Sequence, residues 1–439
     1  MRRGPLRPAG YLCEGLYGPR RQMTRADFLI ERADLVATCA GPAPRRGAAQ
    51  GDVSPLRHAS IAALRGEIVF VGPADSLAGE VTLEPGTVRI DARGATVIPG
   101  FVDPHTHLVF AGDRRDELQR RLSGASYAEI AAEGGGILRT VAATRAASED
   151  ELLAAARVRL DDMAAHGTTT CEAKSGYGLT LDSELRLLRV IKALNDTHPV
   201  DLVPTFLGAH EIPPEYQARP DDYVALVANE MIPRVAAEGL AEWCDVFCDD
   251  GAFTPQESVA ILTAGARAGL KPRLHADELA HSGGTDVAVK VQARSADHLI
   301  HVDEEGADAL AGAATCAVLL PAAAFYLKAG RFAPARLLIE RGVPVALGTD
   351  LNPGAGFSSS MPFVMTLACF GMRMTLEEAL VASTINAAWS LDRSDSVGSL
   401  ERGKLMDAVI VDGHLADLLR VGRSPIRSVI KRGRLVVGS

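Results

Sequence analysis

The regular alternation of apolar strands with amphipathic stretches between residues 96 and 350 constrains the fold of this chain more than any other feature. Strand-like segments recur at 96–107, 168–175, 201–210, 242–249, 271–277, 295–301, 315–321 and 343–350. Helical periodicity fills the gaps; in Glu149–Ala165 the apolar positions Leu152, Leu153, Ala156, Leu160 and Met163 line one face. Eight strand–helix units predict an α/β fold of the (β/α)8 TIM-barrel kind. A doubly wound open sheet has the same periodicity, which does not register closure. The barrel is favoured because polar, chemistry-bearing residues sit at the carboxyl end of strand after strand, where the loops of a barrel converge.

The two ends of the chain have a different texture. Ile61–Leu64, Glu67–Gly72 and Thr87–Ile90 near the start, and Ala408–Val411, Ser428–Ile430 and Arg434–Val437 near the end, are short β-type runs bounded by Gly and Pro. Neither set is large enough for a core of its own. They are expected to combine into one small β-sandwich domain, with residues 24–95 and 403–439 as its halves and 96–402 as the barrel. Residues 1–22 are rich in Arg, Gly and Pro, and Glu14 is their one acidic residue. They lack the apolar centre of a secretory signal. The expectation is a disordered extension over 1–23, with Met23 as the initiating residue.

Charge and cysteine usage narrow the function. A net charge of -9 argues against nucleic acid or an anionic membrane as the main partner, and leaves a small molecule. No uninterrupted apolar run reaches the roughly 18 residues of a membrane span. The seven cysteines form no paired framework. Cys244 and Cys248 lie four apart in one strand with no further soft ligands nearby, so buried thiols in a reducing cytoplasm account for them better than zinc does.

The strand ends carry the chemistry. Val97–Val102 leads into Asp103-Pro104-His105-Thr106-His107, and alternation along a strand would put both imidazoles on one side as half of a metal site. Strand two runs into Glu172-Ala173-Lys174-Ser175-Gly176-Tyr177-Gly178, and strand three ends at His210-Glu211. Strand five holds His275 with Glu278 three residues on, strand six carries His298 and His301, and strand eight ends at Asp350. Each has an ordinary alternative, a satisfied core histidine or a helix cap. So many polar strand ends pointing to one place are better explained by a metal-dependent hydrolase. His58, His166, His198, His281 and His414 fall elsewhere and are expected to be structural or surface groups.

The Pro-Gly-Phe-Val-Asp-x-His-x-His strand, the later His275, His298 and Asp350, and the split β domain resemble the amidohydrolase superfamily. His105–Arg114, Glu172–Gly178, Thr205–His210, His275–Glu278 and Gly348–Gly354 narrow the likeness to members that open a five-membered imidazolone ring bearing a propionate. The resemblance covers roughly residues 28–437. It implies hydrolysis of the ring amide by a metal-activated water. His105, His107, His275 and Asp350 would hold one zinc or iron ion per subunit, since imidazoles with one carboxylate suit either metal. A binuclear member would need a bridging lysine after strand four, where this chain has Phe247-Cys248-Asp249-Asp250. Lys174 is read as a structural or substrate-side cation.

Proton transfer falls to Glu278 if its loop turns inward, with His298 and Asp350 as the other candidates. The implied propionate calls for a fixed cation, and Arg114 fits, because a guanidinium grips a carboxylate through two parallel hydrogen bonds. The resemblance adds Tyr177 and His210 as ring contacts, and Asn352 and Gly354 as substrate contacts on the loop after strand eight. Position 355, where a hydroxyl residue is expected, is Ala355. Two rivals stand beside this reading. One is a mononuclear deaminase of nucleobase-like rings, which would use the same metal set but leave Arg114 without a carboxylate. The other is a non-catalytic barrel scaffold, which predicts a broken ligand set. A homodimer is expected from fold analogy alone.

Overall fold

The computed structural model describes residues 23–125, 129–130 and 133–438; the extension expected over residues 1–22 lies outside these. Two sheets organise the chain. The first combines strands from both ends: β1 (Thr24–Ala37), β2 (Pro55–Leu64), β3 (Glu67–Pro73), β4 (Val81–Asp91) and β5 (Ala95–Pro99) join three strands from the end of the chain. These are β15 (Ala408–Asp412), β16 (Ile426–Lys431) and β17 (Arg434–Gly438). Their order is β17-β16-β15-β5-β1-β2-β3, with β4 on β1. The halves meet where β5 pairs antiparallel with β15, from Ala408↔Pro99 to Asp412↔Ala95. Phe28, Ile30, Val97, Met406, Ile410 and Ile430 bury together in the shared core.

The second sheet is the barrel. Its strands are β6 (Phe101–Asp103), β7 (Thr168–Lys174), β8 (Asp201–Ala209), β9 (Trp243–Cys248), β10 (Lys271–Pro272) with β11 (Leu274–Ala276), β12 (Ser295–His298), β13 (Cys316–Leu319) and β14 (Val345–Leu347). All neighbours pair in parallel. Closure is made just beyond the first and last strands. Thr106 bridges Leu351, His107 N donates to Leu351 O at 2.9 Å, and Asp350 N donates to His105 O at 3.0 Å. The bonds that close the barrel thus bring the His105–His107 segment against Asp350. The helix expected over Glu149–Ala165 forms with those limits, begun by a reciprocal Ser148–Glu151 capping box, and it buries Leu152, Ala156, Leu160 and Met163.

The segment expected as one strand over 96–107 is divided. Residues 95–99 belong to the outer sheet and 101–103 to the barrel, with Gly100 at the crossing. A Cβ at Gly100 would lie 2.3 Å from Thr169 Oγ1, so the first two barrel strands approach this closely only with glycine there. His105 and His107 therefore follow the strand rather than belong to it. Their common direction comes from the closing bonds to 350–351, not from strand alternation. The expected strand 295–301 is likewise shorter: φ is 76° at His298 and 56° at Leu299, the backbone turns, and His301 falls beyond it. No helix among the described residues is long and apolar enough to cross a membrane. Cys39, Cys171, Cys244, Cys248, Cys316 and Cys369 are free thiols, the first five of them buried.

Candidate active site

At the carboxyl end of the barrel, His105, His107 and His275 bring one ligand nitrogen each to within 4.8 Å of one another. Asp350 Oδ1 lies 3.5 Å from His105 Nε2 and 3.4 Å from His107 Nε2, so the fourth expected ligand faces the same point. All four side chains are buried. Burial, reinforced by nearby cationic and imidazole groups, holds His105 and His107 well below the usual imidazole range, so both are neutral as metal ligands must be. Two buried atoms at this point, His105 Nε2 and Asp350 Oδ1, have no hydrogen-bond partner. Unsatisfied buried lone pairs are costly, and a cation bound among three imidazoles and a carboxylate satisfies them together. Burial also pushes the Asp350 carboxyl up to about 7, as expected for an anion whose neighbours supply too little positive charge. The donor set fits a divalent metal.

Behind the ligands lies a layer of charge that sequence reasoning did not identify. His105 Nδ1 donates to Asp297 Oδ2 at 2.7 Å, and His275 Nδ1 donates to Asp245 Oδ1 at 3.1 Å. A carboxylate only accepts, so each bond puts the proton on Nδ1 and turns the Nε2 lone pair to the metal position. Lys174, fully buried between Glu172 and Asp245, belongs to this layer and not to the substrate side. Asp245 had one signal in the sequence, a lone carboxylate inside an otherwise apolar strand, while Asp297 lies in the polar run Ser295-Ala296-Asp297-His298; nothing local tied either to the histidine it orients.

In front of the ligands opens a cavity of about 650 Å³. His107, His275 and Asp350 form part of its wall together with the other expected contacts, Arg114, Tyr177, His210, Glu278, His298, Asn352, Gly354 and Ala355. His301 also borders it, half-buried. His210 stacks on His107 with ring centroids 4.9 Å apart, and its Nδ1 donates to Gly176 O at 3.0 Å. Burial takes His210 down to about 3, so it is neutral with Nε2 left for another partner.

Glu278 does turn inward, and the cause is in the fold. Asp249, at the end of β9, accepts from Glu278 N at 2.7 Å, Leu279 N at 2.8 Å and Ala280 N at 3.2 Å. That one carboxylate fixes the backbone of the loop and brings Glu278 Oε2 to 3.5 Å from His298 Nε2. Burial, with the like charges of Asp350 and Asp249, pushes the Glu278 carboxyl well above the usual range, towards the protonated form. Both His298 ring nitrogens are buried without a hydrogen-bond partner.

Arg114 is buried and its Nε donates to Glu117 Oε2 at 2.7 Å, which aligns the guanidinium edge. Glu117 was not identified from the sequence; its other oxygen accepts from Gly136 N at 3.0 Å. The loop after β14 lies against this guanidinium. A Cβ on Gly354 would meet Arg114 Nη1 at 2.3 Å. Gly354→Ala is expected to displace Arg114 and weaken a carboxylate ligand roughly tenfold, leaving metal content unchanged. Titration calorimetry with metal analysis of the same sample checks this. Asn352, expected as a substrate contact, lines the cavity and also shapes this loop. Its Oδ1 accepts from Gly354 N and Ala355 N, each at 2.7 Å, and its Nδ2 donates to Asp350 O at 2.7 Å. The amide is occupied in shaping the loop that carries Asp350 and Gly354.

Known proteins resemble this chain along most of its length. A model described as the amidohydrolase family matches residues 265–436. A curated imidazolonepropionase of Symbiobacterium thermophilum is 50% identical over 418 residues, covering 94% of this chain and 98% of that protein. One from Haloarcula marismortui is 47% identical over 418 residues, covering 94% and 97%. Among solved structures, an adenosine deaminase of Xanthomonas campestris with bound zinc superposes with a TM-score of 0.68 at 18% identity, over 95% of this chain and 94% of its own. At that identity the likeness concerns the fold alone.

Proposed function

The chain belongs to the imidazolonepropionase family of amidohydrolases, and we propose that its barrel-mouth cavity hydrolyses 4-imidazolone-5-propanoate to N-formimidoyl-L-glutamate. The observation that carries this reading is Arg114 with its terminal guanidinium edge against Gly354 in the same cavity as the three-histidine cluster. A buried guanidinium is a fixed partner for the propionate, and it holds the ring over the metal position.

One zinc or iron ion per subunit, held by His105, His107, His275 and Asp350, would acidify a water towards a pKa of about 7 and polarise the ring carbonyl. The chain's own groups do the rest. Arg114 fixes the propionate, while Tyr177 and His210 border the ring. His298 orients the attacking water through a ring nitrogen that has no protein partner. Glu278 takes a proton from that water and delivers it to the departing ring nitrogen, so the carbon–nitrogen bond breaks with a neutral leaving group. Its raised proton affinity suits the second half of that task. The reading also includes a cytoplasmic enzyme, consistent with free buried thiols, and a homodimer by fold analogy.

The decisive assay is turnover of imidazolone propionate with metal quantified in the same sample. Ring opening without ammonia release from nucleobases supports this reading over a deaminase; the reverse overturns it. Arg114→Ala is expected to raise KM about 10- to 100-fold with a much smaller change in kcat, because charge-assisted hydrogen bonds contribute about 1.5–3 kcal/mol. An unchanged KM would remove Arg114 from the substrate's carboxylate.

A further inference from the structure

Directly beneath the metal ligands, the barrel is filled by charge where such interiors are usually packed with branched apolar side chains. Glu172, Lys174, Asp245, Arg273 and Asp297 are all fully buried, yet form one connected cluster. Lys174 Nζ donates to Glu172 Oε1 at 2.7 Å and to Asp245 Oδ2 at 2.5 Å, and lies 3.9 Å from Asp297 Oδ2. Arg273 Nη2 reaches Asp297 Oδ2 at 3.4 Å. The far oxygen of Asp245 holds His275, and Asp297 holds His105.

The same cluster grips the backbone on both sides of His105. Arg273 Nη2 donates to Pro104 O at 2.8 Å, and Thr106 N donates to Glu172 Oε2 at 3.3 Å. Lys174 N donates to Thr106 O at 3.0 Å. Thr205 Oγ1 completes the frame by donating to Glu172 Oε1 at 2.6 Å.

We propose that Lys174 is a positioning residue that ties the orienting carboxylates of two metal ligands, Asp245 for His275 and Asp297 for His105, into one rigid frame and so sets the affinity for the metal. This rests on the metal site read above. The physical argument is one of desolvation. Three buried carboxylates against two buried cations leave a net negative charge, and such a group holds together only if every member is paired. Lys174 is the member that lies near both orienting carboxylates while also binding Glu172. Without it, Asp245 and Asp297 repel each other, and the relief is to rotate away from the histidines. That rotation frees an imidazole to turn, and the loss of such an outer partner typically weakens metal binding about 10- to 100-fold.

The test compares the parent protein with Lys174→Met and with Lys174→Met/Glu172→Gln, the second keeping the cluster's net charge and both orienting carboxylates as in the parent. Zinc affinity is measured by competition with a chromophoric chelator, and melting is followed on the metal-free proteins. The expected result is a Kd about 10- to 100-fold weaker in both variants, while the double variant regains most of the melting temperature that the single one loses. If Lys174→Met does not fold, the double variant carries the comparison. A folded double variant with the parent's zinc Kd overturns the proposal, since Lys174 would then only balance charge. A parent protein that binds no zinc or iron overturns the metal-site reading itself.

Discussion

His275→Ala is expected to leave a folded protein that has lost both its metal and its turnover. His275 Nε2 lies 3.4 Å from His107 Nε2 and supplies one of three imidazole nitrogens in the cluster. Removing it takes away a ligand and also leaves Asp245 without its histidine, beside Lys174. Two imidazoles and a carboxylate bind zinc or iron far more weakly than the full set. Without the ion, no residue in the cavity can bring water near a pKa of about 7, and ring opening should fall below detection. The check is metal per chain by elemental analysis, together with turnover on imidazolone propionate at saturating zinc. The truncation also leaves the buried Asp245 Oδ1 without its partner, so the melting temperature of the metal-free protein should fall while the protein remains folded. Full activity without bound metal would refute the metal-dependent mechanism.

Glu278→Gln should separate chemistry from metal binding. The substitution keeps the shape of the side chain, and Asp249 holds the loop through backbone N–H groups that glutamine retains. What disappears is a carboxyl able to accept and return a proton, a contribution of about 10²- to 10⁴-fold. The expected outcome is a fall in kcat of that size, with metal content unchanged and KM within a few-fold of the parent. Steady-state kinetics and metal analysis on one preparation decide it. A Glu278→Gln enzyme with normal kcat would move proton transfer to His298, and a metal-free one would make Glu278 a ligand.

Much of the site was legible in the sequence because its donors lie in contiguous, recognisable segments. His105-Thr106-His107 and Asp350 follow apolar strands and His275 lies within a short one, and a barrel sends all such ends to one mouth. The direction of Glu278 was not legible. It depends on Asp249, which is 29 residues away in sequence and meets the loop only after β9 and β11 pair. The loop-shaping role of Asn352 was not legible for a related reason. A polar side chain near a site is as able to bind its own loop as a substrate, and here the short Asp350–Ala355 turn takes both oxygen lone pairs and one N–H of the amide, leaving its second N–H.

The sequence by itself determined the alternation of strand and helix, the joining of the two chain ends into one β domain, and the chemical nature of the metal donors. These are properties of local periodicity and residue type, and they survive without coordinates. Tertiary structure alone decided the closure of the barrel through 105–107 and 350–351, and with it the common direction of the two leading histidines. It also decided the orientation of those ligands from behind, because His105 finds Asp297 across 192 residues and His275 finds Asp245 across 30. A lone charge in an apolar strand has no visible partner in sequence. In a dry interior it must find one, and which one depends on the neighbours that folding supplies.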